Sequence, residues 1–394
     1  MPFRTSNSSL HHQTLSMRNT AFVSPILLQH RRGALPLRRS RSGRPRFQTA
    51  PFPLPRQRCT LKCTREVEVK GVGQAANVAP ETEPYQVRDW LFKSFRVQYA
   101  VAGEEDAGRS SKPAVILVHG FGANCQHWRK NLKPLADNGW RVYAMDLLGF
   151  GMGDKPTPGT LDSDGDPVMY NFDYWSVQLK AFVQDIVKLH EDERAFFVAN
   201  SIGSMVTMQV AVETPELCAA QVFISPSLRQ LNVRKRSWVQ DIAAPIFMKI
   251  LSYRPLGAFF LNSLARPDQL RRVLREAYEV EDAVDDELID ILGKPAYTDG
   301  ALDVFLAFIM YDDGPIPEDF LGDLTQPSMI IWGEEDRFEP IVLGEALRHY
   351  SIIDQFVKLP DVGHCAHDEL PSECNVLISE FVKTNIDRVS PPLA

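Results

Sequence analysis

Acidic residues are absent from the N-terminal part of this 394-residue chain. The first is Glu66, whereas residues 1–65 contain twelve Arg and one Lys, a charge of about +13. Because the whole chain carries −7, the remainder holds about −20. An acid-free segment rich in Arg and Ser, with no apolar core, is typical of an organellar transit peptide. We therefore expect residues 1–65 to be a disordered, cleaved leader for the chloroplast, with the mitochondrion as the alternative. Scattered basic residues without interleaved aromatics argue against a nucleic-acid-binding arm.

Long apolar runs and paired cysteines are also missing. No run approaches the roughly 18 apolar residues that a transmembrane helix needs. Beyond the leader, Cys125, Cys218, Cys365 and Cys374 form no C-x-x-C pair, which is typical of a reducing compartment. No His and acidic cluster has the spacing of metal ligands, so we expect neither a metal nor a cofactor. Cys365 has no base placed to activate it and is predicted to be a packing residue.

Short apolar runs alternate with stretches of helical periodicity along most of the chain. Such alternation predicts an α/β fold with a mostly parallel, eight-stranded sheet covered by helices on both faces. Residues 90–101 alternate apolar and polar positions, as an antiparallel edge hairpin does. The strand-like runs are 114–118, 140–146, 195–200, 221–225, 328–332 and 355–359. The helical stretches include 174–189, 202–213, 341–349 and 371–384.

Residues 227–325 interrupt this alternation with long amphipathic segments, which predicts an inserted helical cap. These segments include 238–251, 256–264, 269–278 and 301–311. The predicted organisation is a leader at 1–65, a linker at 66–84, a first core part at 85–226, the cap at 227–325, a second core part at 326–386 and a tail at 387–394.

Ser201 lies between an apolar strand-like run and a helical run. Its surroundings, Ala199-x-Ser201-x-Gly203, resemble the G-x-S-x-G nucleophile elbow with Ala in place of the first Gly. Small neighbours are needed there because the strand and the helix approach closely at a strained turn. The alternative is a serine that only caps the helix, but that interpretation explains no other feature of the chain. We predict that Ser201 is a nucleophile.

A carboxylate and a histidine follow the nucleophile at corresponding positions. Asp336 comes just after the run 328–332, and its spacing from Gly333 favours it over the neighbouring Glu334 and Glu335. Residues 225–227, where some hydrolases carry the acid instead, offer no carboxylate.

His364 follows Gly363 at the end of the last strand-like run, whereas His367 would open the final helix. His119 is predicted to bond the backbone of its own loop. The chain order Ser201, Asp336, His364 is that of the α/β-hydrolase catalytic triad. Backbone N–H groups of Phe121 and Ile202 are predicted to form the oxyanion hole, since Gly120 and Gly122 allow close backbone approach.

These motifs resemble the plastid branch of the α/β-hydrolases that contains pheophytinase and chlorophyll dephytylase. The matching segments are Leu117–Ala123, His127–Arg129, Val142–Gly151, Asp154–Pro156, Asn200–Gly203 and Gly363–Pro371. The resemblance implies a serine hydrolase that cleaves a carboxylic ester, in that branch the phytyl ester of a chlorophyll-type tetrapyrrole. Ala199 and Ser204 depart from the branch, which usually has Gly at both positions.

The cap is expected to select the substrate. Trp238, Phe259 and Phe260 are predicted to contact a hydrophobic ester, and residues 234–236 form a basic cluster that is either solvated or in contact with an anionic membrane or substrate carboxylate. Two alternatives remain open: an esterase for plastid lipids or other hydrophobic esters, and a ligand-binding receptor on a hydrolase scaffold. Epoxide hydrolases and haloalkane dehalogenases carry a carboxylate at the elbow, so Ser201 argues against them.

Overall fold

The computed structural model describes residues 65–66, 85–103 and 112–389. The predicted leader and linker therefore lie outside the described residues, apart from Arg65–Glu66, and so do residues 390–394 of the predicted tail. Seven adjacent strands of the central sheet pair in parallel, and the nine strands have the order β1-β9-β8-β7-β6-β4-β5-β3-β2. They are β1 (Arg65–Glu66), β2 (Gln86–Phe92), β3 (Phe95–Ala102), β4 (Ala114–Val118), β5 (Arg141–Met145), β6 (Ala195–Asn200), β7 (Cys218–Ile224), β8 (Ser328–Gly333) and β9 (Ile353–Leu359).

Eight of these strands have five or more residues, which confirms the predicted eight-stranded sheet. The two-residue β1 extends one edge by pairing in parallel with β9. At the other edge, β2 and β3 form the predicted antiparallel hairpin. Lys93 and Ser94 connect them with φ values of 47° and 76°, the positive φ pair that a tight two-residue hairpin turn requires.

Twelve α-helices complete the described part of the chain. They are α1 (Arg129–Ala136), α2 (Phe172–Phe182), α3 (Ile202–Glu213), α4 (Trp238–Ser252), α5 (Arg254–Leu264), α6 (Pro267–Ala277), α7 (Asp286–Gly293), α8 (Ala301–Ile309), α9 (Pro317–Leu321), α10 (Ile341–Gly344), α11 (Ala366–Glu369) and α12 (Pro371–Thr384). None of the helices among the described residues has both the length and the apolar character needed to cross a membrane.

The sheet separates two hydrophobic layers, as its alternating side chains require. On β4, Ile116 and Val118 pack with α2 and α3 on one face. Val115 and Leu117 pack with α1 and α12 on the opposite face. All four side chains are fully buried. This burial explains why the sequence of β4 is a continuous apolar run, as is typical of a parallel strand covered on both faces.

The helices α4 to α9 fall within the predicted cap region, between β7 and β8. The predicted helices at 238–251, 256–264, 269–278 and 301–311 are confirmed, whereas α7 and the short α9 were not predicted. Two predicted helical stretches of the core, 174–189 and 341–349, are not continuous α-helices. α2 ends at Phe182 and continues as a π-helical turn, and α10 gives way to a 3₁₀ turn after Gly344.

Candidate active site

Ser201 occupies a strained turn between β6 and α3. Its φ and ψ are 52° and −123°, a conformation that costs a non-glycine residue about 1–3 kcal/mol. Two backbone hydrogen bonds maintain the turn: the Ser201 N–H donates to the Ile224 carbonyl at 3.1 Å, and the Ser227 N–H donates to the Ser201 carbonyl at 3.2 Å. Within the described part of the chain, the Ser201 hydroxyl makes no capping bond to α3. The turn therefore has the form of a nucleophile elbow, and the helix-capping interpretation is wrong.

Two glycines permit this turn because their neighbours leave no room for a side chain. A Cβ on Gly203 would lie 2.6 Å from the Val118 carbonyl oxygen and 2.7 Å from that of His119. A Cβ on Gly120 would lie 3.1 Å from the Cβ of Ser201. The loop that follows β4 thus passes directly beside Ser201, as an oxyanion hole at that position requires.

The predicted oxyanion residues occupy suitable places. Ile202 is the first residue of α3, where backbone N–H groups and the helix dipole favour negative charge. Phe121 lies next to Gly120 in the loop beside Ser201. His119 braces that loop: its Nδ1 donates to the Gly120 carbonyl at 2.7 Å, and its Nε2 accepts from the Leu147 N–H at 3.0 Å. Burial lowers the pKa of His119 to about 4, so it is neutral near pH 7 and has the predicted structural role.

Asp336 and His364 are joined by a hydrogen bond. The Nδ1 of His364 donates to Oδ2 of Asp336 at 2.8 Å, and Asp336 is only 4% exposed. The other carboxylate oxygen accepts from the backbone N–H groups of Phe338 and Glu339 at 2.9 and 2.8 Å. With the proton on Nδ1, the Nε2 of neutral His364 is left as the basic nitrogen.

The electrostatic surroundings of His364 make it a stronger base. Burial by itself lowers the pKa of His364, but the charge and hydrogen bond of Asp336, together with Glu339 and Glu369, outweigh that effect. The net pKa is raised above the ordinary imidazole value. A histidine poised in this way accepts a proton readily from a hydroxyl group.

Polar contacts fix the loop that carries His364 from both the core and the cap. The Asn200 amide, next to the nucleophile, donates to the His364 carbonyl at 3.2 Å. From the cap, the Ala277 carbonyl accepts the His364 N–H at 2.7 Å. The buried Glu369 carboxylate accepts backbone N–H groups from both sides at 2.7–3.1 Å, and the donors are Glu279, Val280, Gly363 and Cys365.

Glu339 is a buried carboxylate beside the Asp336–His364 pair that sequence analysis missed. Its Oε1 accepts the Ser227 hydroxyl at 3.1 Å and the Leu228 N–H at 3.0 Å. Within the described structure, its Oε2 is buried without a hydrogen-bond partner. Burial raises the pKa of Glu339 to about 7. The signal available in the sequence was its position three residues after Asp336. Its contacts with Ser227 and Leu228, at the start of the cap region, are visible only in the structure.

His367 and Cys365, the two reactive residue types next to His364 in the sequence, do not contact the Asp336–His364 pair through any described hydrogen bond. His367 is fully buried, its ring packs 4.1 Å from that of Trp128, and burial holds its pKa well below the usual value. Cys365 is buried in a cluster of cap side chains, and burial raises the pKa of its thiol well above the usual value. It is therefore a packing residue, as predicted.

Among the described residues, one group of three acidic side chains has metal-like proximity, and it lies on the loop at Asp162, Asp164 and Asp166. The ammonium of Lys93 already faces all three carboxylates, at 2.9, 3.3 and 3.3 Å. The cluster thus forms ion pairs with the hairpin turn.

An apolar cavity that opens to solvent lies under the cap. It meets the site at Phe121 and Gly122, and does not extend to line Ser201 or His364 themselves. Its roof comes from α5 and α8 through Leu261, Leu264 and Phe305. The Phe121 ring stacks on Phe308 of α8 at 5.0 Å. The lining is suited to an apolar group attached to the reacting carbonyl.

Of the three residues predicted to contact substrate, two are exposed on the surface and one lies near the cavity. Trp238 and Phe259 are 70% and 74% exposed and do not line the cavity. Phe260 is half-buried, and its ring lies 6.0 Å from that of Phe305, which does line it. α5 contributes Leu261 and Leu264 to the cavity, which leaves Phe259 on its outer side, and no residue of α4 lines the cavity.

The known proteins most informative for this chain share its core. The alpha/beta hydrolase family matches residues 115–375. The chain belongs to this family. The uncharacterized hydrolase YugF of Bacillus subtilis is 25% identical to this α/β-hydrolase over 272 residues, 69% of this chain and 90% of YugF.

Two further relatives carry more specific descriptions. Chloroplastic pheophytinase of Arabidopsis thaliana is 21% identical over 329 residues, which is 75% of this chain and 65% of that protein. The crystal structure of a membrane phospholipase A, described as a bacterial virulence factor, is similar with a TM-score of 0.58 and 19% identity, over 77% of this chain and 88% of that one. At such identity the structural likeness shows the α/β-hydrolase fold alone.

Proposed function

We propose that this α/β-hydrolase cleaves a carboxylic ester, with Ser201 as nucleophile, His364 as general base and Asp336 as the carboxylate that orients the imidazole. The observation that carries this proposal is the 2.8 Å bond between Asp336 and His364, on a loop that Asn200 ties to the Ser201 elbow. Nucleophile, base and orienting acid are the three parts of a serine hydrolase.

The reaction follows from these roles. The Ser201 Oγ attacks the ester carbonyl carbon while His364 Nε2 takes the hydroxyl proton. The resulting oxyanion lies toward the N–H groups of Phe121 and Ile202. When the carbon–oxygen bond to the alcohol breaks, the imidazolium gives its proton to the departing alkoxide. A water molecule, deprotonated by His364, then attacks the acyl-enzyme. When the bond to Ser201 Oγ breaks, the imidazolium returns the proton to Oγ, and the carboxylic acid leaves.

The proposed substrate is a hydrophobic ester, and specifically the phytyl ester of a chlorophyll-type tetrapyrrole. The apolar cavity against Phe121 supports a long hydrocarbon group, since burial stabilises by roughly 25 cal/mol per Å² of apolar surface. Similarity to a chloroplastic pheophytinase supports the tetrapyrrole. The same similarity and the acid-free leader support a plastid location, which we propose as well.

The test is product analysis with the full-length protein and three substrates: pheophytin, chlorophyll and p-nitrophenyl butyrate. We expect phytol with pheophorbide or chlorophyllide, at a higher kcat/KM than for the short ester. Ser201→Ala is the matched control and must abolish release.

Other outcomes discriminate between the alternatives. Rapid cleavage of p-nitrophenyl esters with phytyl esters untouched in detergent would retain the ester chemistry and overturn the substrate. A single covalent event per molecule, without turnover, would contradict the enzyme and favour a receptor.

A further inference from the structure

The cap presents an apolar face to solvent on its outermost helices. Of the fifteen residues of α4, only Leu251 is buried. The exposed apolar side chains cover one continuous stretch of α4 and α5, with exposed fractions of 42–74%. They are Trp238, Val239, Ile242, Ile246, Phe247, Ile250, Tyr253, Leu256 and Phe259.

The spacing of these residues produces a stripe. Val239, Ile242, Ile246, Ile250 and Tyr253 follow one another at intervals of three or four, which places them on one side of the helix. Scattered single apolar residues are normal on protein surfaces, whereas a contiguous patch marks an interaction site. The face also lacks the charge density of a solvated helix, since α4 contains only two charged residues, Asp241 and Lys249.

The composition of the stripe matches a lipid interface. Trp and Tyr concentrate at the boundary between headgroups and hydrocarbon because each has an apolar ring and a polar group. Trp238 and Tyr253 stand at the two ends of α4 and are 70% and 62% exposed. Between them lie isoleucines suited to shallow insertion of a helix parallel to the membrane plane.

The charge around this face favours anionic headgroups. Residues 227–277 contain ten Arg and Lys against three Asp and Glu, in a chain whose net charge is −7. The basic cluster at 234–236 is engaged in ion pairs with Asp319, Glu318 and Asp312. Arg254 and Arg271 pair with Asp303 and Asp286, so these five cations are not the ones available to headgroups. Lys249, Arg266 and Arg272 are exposed on or beside the same helices.

The outer face is separated from the cavity by a single helix. On α5, Phe259 is exposed outward, whereas Leu261 and Leu264 line the cavity. A series of aromatic rings continues inward to the oxyanion loop. The centroid distances are 6.4 Å for Phe247–Phe260, 6.0 Å for Phe260–Phe305 and 6.3 Å for Phe305–Phe121.

We propose that the outer face of α4 and α5 docks on a lipid bilayer containing anionic lipids, and that an apolar ester passes from that bilayer to the cavity along these rings. The docking itself stands on the exposed face and its charge; the passage of an ester rests on the proposed function.

Vesicle flotation tests the docking without requiring catalysis. The full-length Ser201→Ala protein is incubated with vesicles of phosphatidylcholine alone, or of phosphatidylcholine and phosphatidylglycerol in equal amounts. We expect co-flotation, stronger with phosphatidylglycerol and weakened by salt. Adding Ile242→Glu and Ile246→Glu should lower partitioning about ten-fold or more, since charged side chains resist insertion.

Matched variants separate docking from general surface effects. Val376→Glu, at an apolar position of α12 that is 56% exposed, should leave flotation unchanged. Lys249→Glu with Arg272→Glu should lower the preference for phosphatidylglycerol relative to the Ser201→Ala parent, since the basic residues 1–65 are the same in both proteins. Absence of flotation, an equal loss in Val376→Glu, or a lipid-free dimer that dissociates in the α4 variant would overturn the proposal.

In otherwise wild-type protein, the α4 variant should cleave a soluble short ester normally while losing activity on an ester embedded in vesicles. Flotation without hydrolysis of any ester would contradict the proposed function and still support the docking.

Discussion

Replacing Glu339 by Gln should change the pH dependence of stability in a direction that the structure specifies. The carboxylate is 9% exposed, and its Oε2 has no hydrogen-bond partner among the described residues. Gln retains a carbonyl oxygen for the Ser227 hydroxyl and the Leu228 N–H, which Oε1 now accepts. The substitution therefore removes the buried charge while preserving shape and the two described contacts.

The magnitude follows from the pKa of this group. Burial raises the pKa of Glu339 from 4.5 to about 7. Between these values the folded protein keeps the proton while the unfolded chain has lost it, so stability falls as pH rises through this window. One pKa unit corresponds to about 1.4 kcal/mol, so the full shift amounts to about 3 kcal/mol. Glu339→Gln lacks this loss and should gain about 3 kcal/mol over wild type between about pH 4 and about pH 8.

Chemical denaturation of both proteins across this pH range measures the difference. Glu335→Gln is the matched control, because Glu335 is an exposed carboxylate on the same loop, and it should show no such trend. A second measurement is kinetic. Glu339 contributes to the raised pKa of His364, so the acid limb of kcat/KM should move to lower pH in Glu339→Gln. A stability difference that is independent of pH, or a variant less stable than wild type at about pH 8, would refute the reasoning.

Three further outcomes are expected. Asp336→Asn should lower kcat by about 10⁴-fold, since the amide favours the wrong tautomer of His364, and a loss below ten-fold would contradict the assignment of the acid. Gly203→Ala should cost about 1–3 kcal/mol in chemical denaturation, because the new Cβ meets two backbone carbonyls. Gly322→Ala, where the added Cβ has open space, should not reproduce that loss. Dialysis against EDTA should leave esterase activity unchanged, and a loss restored by zinc would overturn the metal-free mechanism.

The positions of Ser201, Asp336 and His364 could be predicted because each depends on local sequence. Each follows an apolar strand of a parallel sheet, and such strands bring their carboxyl ends to one edge. The glycine pattern around Ser201 is also local, since Gly203 is required by the carbonyls at the end of the neighbouring strand.

The contacts of Glu339 and Glu369 could not be predicted in this way. Glu339 accepts a hydrogen bond from Ser227, which lies 112 positions away in the sequence. Glu369 accepts hydrogen bonds from backbone N–H groups of the cap and of its own loop. The orientation of the cap is a similar case. Helical periodicity shows that α4 and α5 have apolar faces but not which of them the core covers, so Trp238 and Phe259 were expected in the site and are found on the surface.

The central claim is that Ser201 is the nucleophile that becomes acylated, and covalent labelling tests it most directly. A fluorophosphonate probe should react with the native protein at one site, which peptide mass spectrometry should assign to Ser201. Labelling should disappear in Ser201→Ala and be slowed in His364→Ala, while denatured protein should not react. Stoichiometric labelling of another residue, or undiminished labelling of Ser201→Ala, would contradict the account.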